Sequence, residues 1–152
     1  MAAERKSKVY FFFNKKISLR NRSKLKKFIE AIFKREGFKL QLLNYIFCSD
    51  KDLLAINRQY LKHNYYTDII TFGLSDKGMP VEGEIYISVD RVRDNALAEG
   101  ESLTRELHRV IFHGALHLCG YKDKSSVEKK RMREEEDKCL SKYAEFSRDT
   151  VS

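Results

Sequence analysis

The chain has 152 residues, of which 42% are hydrophobic and 12% aromatic, a composition that supports a packed core and excludes intrinsic disorder for most of the chain. No stretch approaches the roughly 18 consecutive apolar residues of a transmembrane helix, and the N-terminus lacks the apolar segment of a secretory signal. The three cysteines are widely spaced and form no CxxC pair, a pattern typical of reduced thiols. We therefore expect a cytoplasmic protein with one domain over residues 1–152, with neither a membrane nor a disulfide-linked partner.

Basic residues are concentrated near the N-terminus. The whole chain has a net charge of +8, whereas residues 1–40 hold 13 basic and 3 acidic side chains, a net charge of +10. Such a surface attracts a polyanion and releases its counterions, although a solvated helix face has the same pattern. The candidate polyanion contacts in this region are Lys24, Lys26 and Lys27.

The first predicted elements are a strand and a helix. Residues 9–13 (VYFFF) favour a strand, and we expect the aromatic run 10–13 to be core rather than a base-stacking surface. Apolar residues at helical spacing predict a helix over about 24–36, capped by Ser23 and ended by Gly37.

Strands and helices alternate up to the third strand, a fourth strand follows it directly, and the chain after residue 89 is helical. The second helix is capped by Ser49 or Asp50. The remaining predicted elements are strands over 39–48, 67–74 and 84–89, and helices over about 50–60, 90–98, 102–119 and 126–143. This order predicts a single α/β (or α+β) domain, a four-stranded mixed sheet packed with about five helices.

Residues 112–123 (FHGALHLCGYKD) contain a candidate metal site. His113 and His117 are four residues apart, so their imidazoles project from one face of the predicted helix. Gly120 allows the chain to reverse, which brings Asp123 back as a third ligand. Three ligands with an open fourth position are typical of a catalytic zinc, one per chain, which would polarise a phosphoryl or carbonyl oxygen. A chance HxxxH pair is usually exposed or part of a core, but Gly120 and Asp123 at matching offsets favour the metal site.

The spacing also fits the HExxHxxGxxH motif of metzincin proteases, with Asp123 in the last position. The general base of those enzymes is the glutamate that follows the first histidine, and this chain has Gly114 there. Glycine cannot accept a proton, so the sequence argues against peptide hydrolysis.

The segment HGALHLCGY resembles the HGxLHLxGYDH motif of the YbeY endoribonuclease family, bacterial factors of ribosomal RNA maturation and quality control. The resemblance covers most of residues 35–140, with Glu84 in place of an aspartate in the GDIxIS strand. Further matching segments are Ile56-Asn57 with Tyr60, TDIITF over 67–72, GEIYIS over 83–88, and Glu128, Met132 and Glu136.

Four further positions depart from the family pattern. Asp123 and Lys122 replace the last histidine of the motif and the aspartate before it, and aspartate is a competent zinc ligand. Leu61 replaces an arginine that is thought to contact RNA or the reacting phosphate, and Arg58 or Lys62 could supply that charge with different geometry. Tyr66 replaces a proline, which we expect to change only the loop.

The resemblance implies a zinc-dependent, single-strand endoribonuclease that acts in 16S rRNA 3′-end maturation and ribosome quality control. Its partners would be ribosomal RNA and the ribosome or its small subunit, with His113 and His117 as catalytic residues and His113, His117 and Asp123 as zinc ligands. Predicted RNA contacts are Arg58, Lys62, Lys24, Lys26 and Lys27. One alternative is a non-catalytic RNA-binding ribosome assembly factor with a relic metal site, and a less favoured one is a metalloprotease.

Other polar residues near the motif have open roles. Glu106 and Arg109 share the helix face of His113 and either support the metal site or form an exposed ion pair. Thr67 and Asp68 either line the cleft, which we favour, or only shape the entry to the third strand.

The remaining thiol and imidazoles near the motif are not expected to bind metal. We expect Cys119 to be a buried thiol that faces away from the metal ligands. His63 and His108 are expected at the surface.

Overall fold

A computed structural model of the chain describes residues 7–149. The two ends of the predicted domain, residues 1–6 and 150–152, lie outside the described residues. The described part forms one sheet of four strands and five helices, in the predicted order, so the expected fold class is confirmed. The elements are β1 (Val9–Phe13), α1 (Arg22–Arg35), β2 (Leu40–Cys48), α2 (Asp50–Leu61), β3 (Ile69–Gly73), β4 (Val81–Ser88), α3 (Val89–Glu99), α4 (Leu103–Leu118) and α5 (Ser126–Asp149).

The strand order across the sheet is β1-β2-β4-β3. β2 pairs in parallel with both β1 and β4, whereas β3 pairs antiparallel with β4. β1 and β3 are therefore the two edge strands. This order places the N-terminal elements at the edge of the sheet opposite to β3.

Two predicted boundaries change for reasons of local geometry. β4 begins at Val81 rather than residue 84, because Val81 pairs with Leu40 at the start of β2. α1 begins after Asn21, which has a left-handed backbone, and Ser23 lies inside the helix, so the predicted cap at Ser23 is wrong. Ser49, the first of the two candidate caps of α2, accepts a hydrogen bond from the backbone N–H of Asp52 at 3.1 Å.

α4 packs directly on the sheet because two glycines leave room for it. A Cβ atom at Gly114 would lie 2.7 Å from Cδ1 of Ile85, and one at Gly83 would lie 2.7 Å from Cδ1 of Leu118. The hydroxyl of Tyr45 donates a hydrogen bond to the carbonyl of Ile111 at 2.8 Å. These contacts fix α4, and hence the histidines it carries, against the central strands.

The expectation that the whole aromatic run 10–13 is core is wrong. Tyr10 is 40% exposed and Phe12 is 47% exposed, whereas Phe11 and Phe13 pack against the core. Alternate residues of a strand point to opposite faces, and the principal core lies on the face of Phe11 and Phe13. The opposite face of this edge strand therefore leaves two aromatic rings in solvent.

The three thiols are all buried and free, and none is bonded to another. Among the helices that the structure describes, none combines the length and apolar character that a membrane span needs.

Candidate metal centre

α4 positions the two histidines of the site. Ser102 caps the helix by accepting a hydrogen bond from the backbone N–H of Arg105 at 3.1 Å. Apolar residues cover the sheet side of the helix, while His113 and His117 are partly exposed one turn apart, with ring centres 4.6 Å apart. The helical spacing predicted from the sequence is therefore the spacing observed.

The turn after α4 returns Asp123 to the histidines. The N–H of Tyr121 donates to the carbonyl of Leu116, and that of Gly120 donates to the carbonyl of His117, which together form a Schellman motif. Gly120 has a φ of +99°, a conformation that glycine adopts without strain. The sharp reversal places Asp123 beside the face of α4 that holds both imidazoles.

A capping box fixes the far end of this turn. The backbone N–H of Ser125 donates to Oε1 of Glu128 at 2.9 Å, and the N–H of Glu128 donates to the hydroxyl of Ser125 at 3.1 Å. Glu128 is therefore occupied in starting α5. Glu128 is also the residue that matches the first glutamate of the family motif, and in this chain its contacts are those of a helix cap.

The three donor groups fit a tetrahedral metal. Oδ2 of Asp123 lies 3.3 Å from Nε2 of His113 and 3.3 Å from Nε2 of His117. Ligands at the usual zinc distances in a tetrahedral arrangement are about 3.3 Å apart. One ligand atom from each residue lies within 4.8 Å of the others, so this group could hold a metal ion.

Glu136 on α5 orients His113, a contact that the spacing of the two residues in the sequence does not predict. Its Oε2 lies 2.6 Å from Nδ1 of His113, and the carboxylate is buried. Burial disfavours the imidazolium, but the hydrogen bond and charge of Glu136 outweigh burial, so the pKa of His113 is raised. A hydrogen on Nδ1 leaves Nε2 free as a metal ligand. The only sequence signal for this residue is its place in the family motif of α5.

Glu106 and Arg109 form a buried pair. The alternative that they form an exposed ion pair is therefore wrong. Their side chains are 5% and 6% exposed, and Nη1 of Arg109 donates to Glu136 at 3.2 Å and to Asp137 at 2.9 Å. Oε1 of Glu106 and Nε of Arg109 are 3.7 Å apart, and neither atom has a hydrogen-bond partner among the described residues. Burial raises the pKa of Glu106 to about 7.

These groups surround a cavity of about 960 Å³ that also reaches β3 and α3. Thr67 and Asp68 line it, as predicted, and burial raises the pKa of Asp68. The charged groups of the lining are the cations Arg109, Arg133 and Lys124 and the carboxylates Asp68, Glu99, Glu106, Asp123 and Glu136. Three cations against five carboxylates leave a formal charge of −2, which a divalent metal would neutralise.

The structure does not bring the five predicted RNA contacts into this cavity. Arg58 and Lys62 lie beside it on the exposed end of α2, where Arg58 donates to Asn64 at 2.6 Å. Lys24, Lys26 and Lys27 lie on α1, which packs against β1 and β2, whereas the cavity reaches the opposite edge strand, β3.

The other residues considered from the sequence have clear positions. Cys119 is buried, as expected, and is not part of the donor group. His63 is exposed, as expected, and lines the cavity. His108 is half-buried rather than at the surface, because its ring packs edge-on against Tyr143, and burial lowers its pKa to about 4.

Comparisons with known proteins identify the family. Residues 11–144 match the family described as Endoribonuclease YbeY. The chain is 49% identical over 138 residues to "Endoribonuclease YbeY" of Cytophaga hutchinsonii, covering 90% of this chain and 96% of the relative. It is 50% identical over 105 residues to the protein of that name from Bacteroides thetaiotaomicron, covering 69% of this chain and 76% of the relative.

A solved structure has the same fold. The solution structure of a Thermotoga maritima protein matches with a TM-score of 0.63 and 26% identity, covering 94% of this chain and 93% of that one. The family match spans most of the chain, and the relatives are endoribonucleases by name. The chain belongs to the YbeY family of endoribonucleases.

Proposed function

We propose that this endoribonuclease is zinc-dependent, with His113, His117 and Asp123 as ligands of one Zn²⁺ per chain. The observation that supports this most directly is the 3.3 Å separation of Asp123 from both imidazole nitrogens. A bound zinc would supply positive charge to stabilise the developing charge on a scissile phosphate. We further propose that residues 1–152 form one domain with this activity.

The chain's own groups would orient the substrate and handle protons. Glu136 would hold the proton of His113 on Nδ1, which leaves a free lone pair on Nε2, the nitrogen beside Asp123. Asp68 and Glu106 line the cavity with raised pKa values, so each can hold a proton nearer to neutral pH than an ordinary carboxyl group. We assign proton transfer to or from the reacting RNA oxygens to these carboxyl groups.

The proposed substrate is single-stranded ribosomal RNA, in 16S rRNA 3′-end maturation and ribosome quality control in the cytoplasm. The family resemblance supports this substrate, and the basic α1 face with Lys24, Lys26 and Lys27 supports contact with an extended phosphate backbone. Arg58 and Lys62 would contact RNA that enters the cavity from the α2 side. The ribosome or its small subunit would be the partner.

The test is cleavage of a single-stranded RNA by purified protein, before and after chelation and after Zn²⁺ is restored. We expect chelation to abolish cleavage and Zn²⁺ to restore it, with no such activity in Asp123→Asn. A 2′,3′-cyclic phosphate on the product would indicate attack by the ribose 2′-hydroxyl, and other termini would indicate water.

A non-catalytic RNA-binding factor is the second candidate, because Leu61 stands where the family has an arginine. RNA binding without chelator-sensitive cleavage would support that candidate and contradict the proposal. A metalloprotease has little support, because Gly114 leaves no room for a glutamate side chain between α4 and Ile85.

A further inference from the structure

The loop after α2 places two exposed rings at the cavity. His63 and Tyr65 both line the cavity that contains the donor group, and Tyr65 is 55% exposed. Their rings are stacked, with centres 5.1 Å apart and an interplanar angle of 20°. The hydroxyl of Tyr65 lies 3.0 Å from Nδ1 of His63. We call these two rings the His63–Tyr65 stack.

The backbone of this loop is fixed by one buried residue, through its side chain and its backbone. Nδ2 of Asn57 donates to the carbonyl of Tyr65 at 2.9 Å, and the N–H of His63 donates to the carbonyl of Asn57 at 3.1 Å. Asn57 is 1% exposed, and Lys62 ends α2 with a left-handed backbone. The backbone that carries the two rings is thus fixed before any ligand binds, which lowers the entropy cost of binding.

The charge of the cavity lining favours an RNA contact that does not depend on cationic side chains. The lining has a formal charge of −2, and the end of α2 beside the two rings contributes an uncharged residue, Leu61. A polyanion that enters the cavity therefore gains little from its walls. Stacking of a base on an aromatic ring stabilises the bound state of a single-stranded nucleic acid and does not require cationic residues in the lining.

We propose that the His63–Tyr65 stack is a binding subsite for an unpaired nucleobase of the RNA substrate, beside the donor group. This inference rests on the proposed function and specifies how its substrate is held. A base in a duplex is already stacked and paired, so the subsite selects single-stranded segments. The hydroxyl of Tyr65 contacts His63, so the ring rather than the hydroxyl is the recognition element.

The test measures binding of the Zn²⁺-loaded protein to a fluorescent single-stranded RNA, and to oligonucleotides that each carry one abasic site at successive positions. We expect Tyr65→Ala to weaken binding of the intact RNA by roughly 5- to 100-fold. Tyr65→Phe should bind within about twofold of the wild type, because it keeps the ring. Phe12→Ala, which removes an exposed ring at the opposite edge of the sheet, is the matched control and should also bind normally.

The abasic series separates stacking from a structural effect. At one position, loss of the base should weaken wild-type binding while leaving Tyr65→Ala unchanged, because the partner of the ring is already missing. Equal losses in both proteins at every position, or wild-type affinity in Tyr65→Ala, would overturn the subsite. Binding does not require cleavage, so an inactive protein with this Tyr65 dependence would contradict the proposed function and support the subsite.

Discussion

Nδ1 of His113 and Oε2 of Glu136 are 2.6 Å apart, although 23 residues separate them in the sequence. The carboxylate is buried and also accepts a hydrogen bond from Arg109. A carboxylate at this position fixes the imidazole ring and its tautomer, which increases the basicity of the nitrogen that faces a metal. α5 therefore contributes to the candidate metal centre without providing a ligand.

Glu136→Gln should weaken Zn²⁺ binding by roughly 10- to 100-fold, because the neutral amide does not polarise His113 in the same way. Competition with a chromophoric chelator measures this affinity. Glu134→Gln, an exposed neighbour on α5, should bind Zn²⁺ like the wild type. Equal affinities for Glu136→Gln and wild type would show that Glu136 has no influence on the metal.

Asp123→Asn should lose more Zn²⁺ affinity than Glu136→Gln, because it removes a charged donor rather than a supporting group. The fold should persist, since Asp123 is partly exposed and lies in a turn fixed by Gly120 and by the cap of α5. Asp123→His should retain Zn²⁺, because it restores the donor of the family motif. Metal content after dialysis and the far-UV circular dichroism spectrum check both statements, and full retention by Asp123→Asn would disprove ligation.

Gly114→Ala should destabilise the protein by about 1–3 kcal/mol, because the new methyl group would overpack the core against Ile85 and Ile69. Alanine is otherwise the better helix former, so a purely local effect would have the opposite sign. Urea denaturation measures the change. A variant as stable as the wild type would mean that α4 can move away from the sheet at no cost.

Replacing Lys24, Lys26 and Lys27 with glutamine should weaken RNA binding and reduce its dependence on salt, because fewer counterions are released. Titrations at several salt concentrations provide the slope. The matched control replaces three exposed lysines of α5, Lys129, Lys130 and Lys142. An unchanged slope in the α1 variant would show that this face does not contact RNA.

Glu106→Gln should become more stable relative to the wild type as the pH rises. The pKa of Glu106 is about 7 in the folded protein, against an ordinary value of 4.5. Its protonated form therefore contributes stability that is complete below pH 4.5 and is lost as the pH rises through 7. One pKa unit corresponds to about 1.4 kcal/mol and the cavity is open to solvent, so we expect a relative gain of about 1–2 kcal/mol between pH 5 and 8.5. Denaturation of both proteins at the two pH values measures it, and a constant difference would contradict the raised pKa.

The sequence by itself determined the local parts of the site. His113 and His117 share a helix face because helical geometry repeats every 3.6 residues, and Gly120 marks the reversal because few other residues adopt its backbone angle. The strand and helix order likewise follows from hydrophobic periodicity, which is a property of short segments.

Only the tertiary structure decided which distant groups meet. The contact of Glu136 with His113 and the burial of Glu106 and Arg109 depend on how α5 packs against α4, and no spacing in the chain encodes that packing. The exposure of Tyr10 has the same origin, because an aromatic strand residue is core only where another element covers its face of the sheet. Local periodicity predicts which residues share a face of a helix or strand, whereas long-range packing determines what that face contacts.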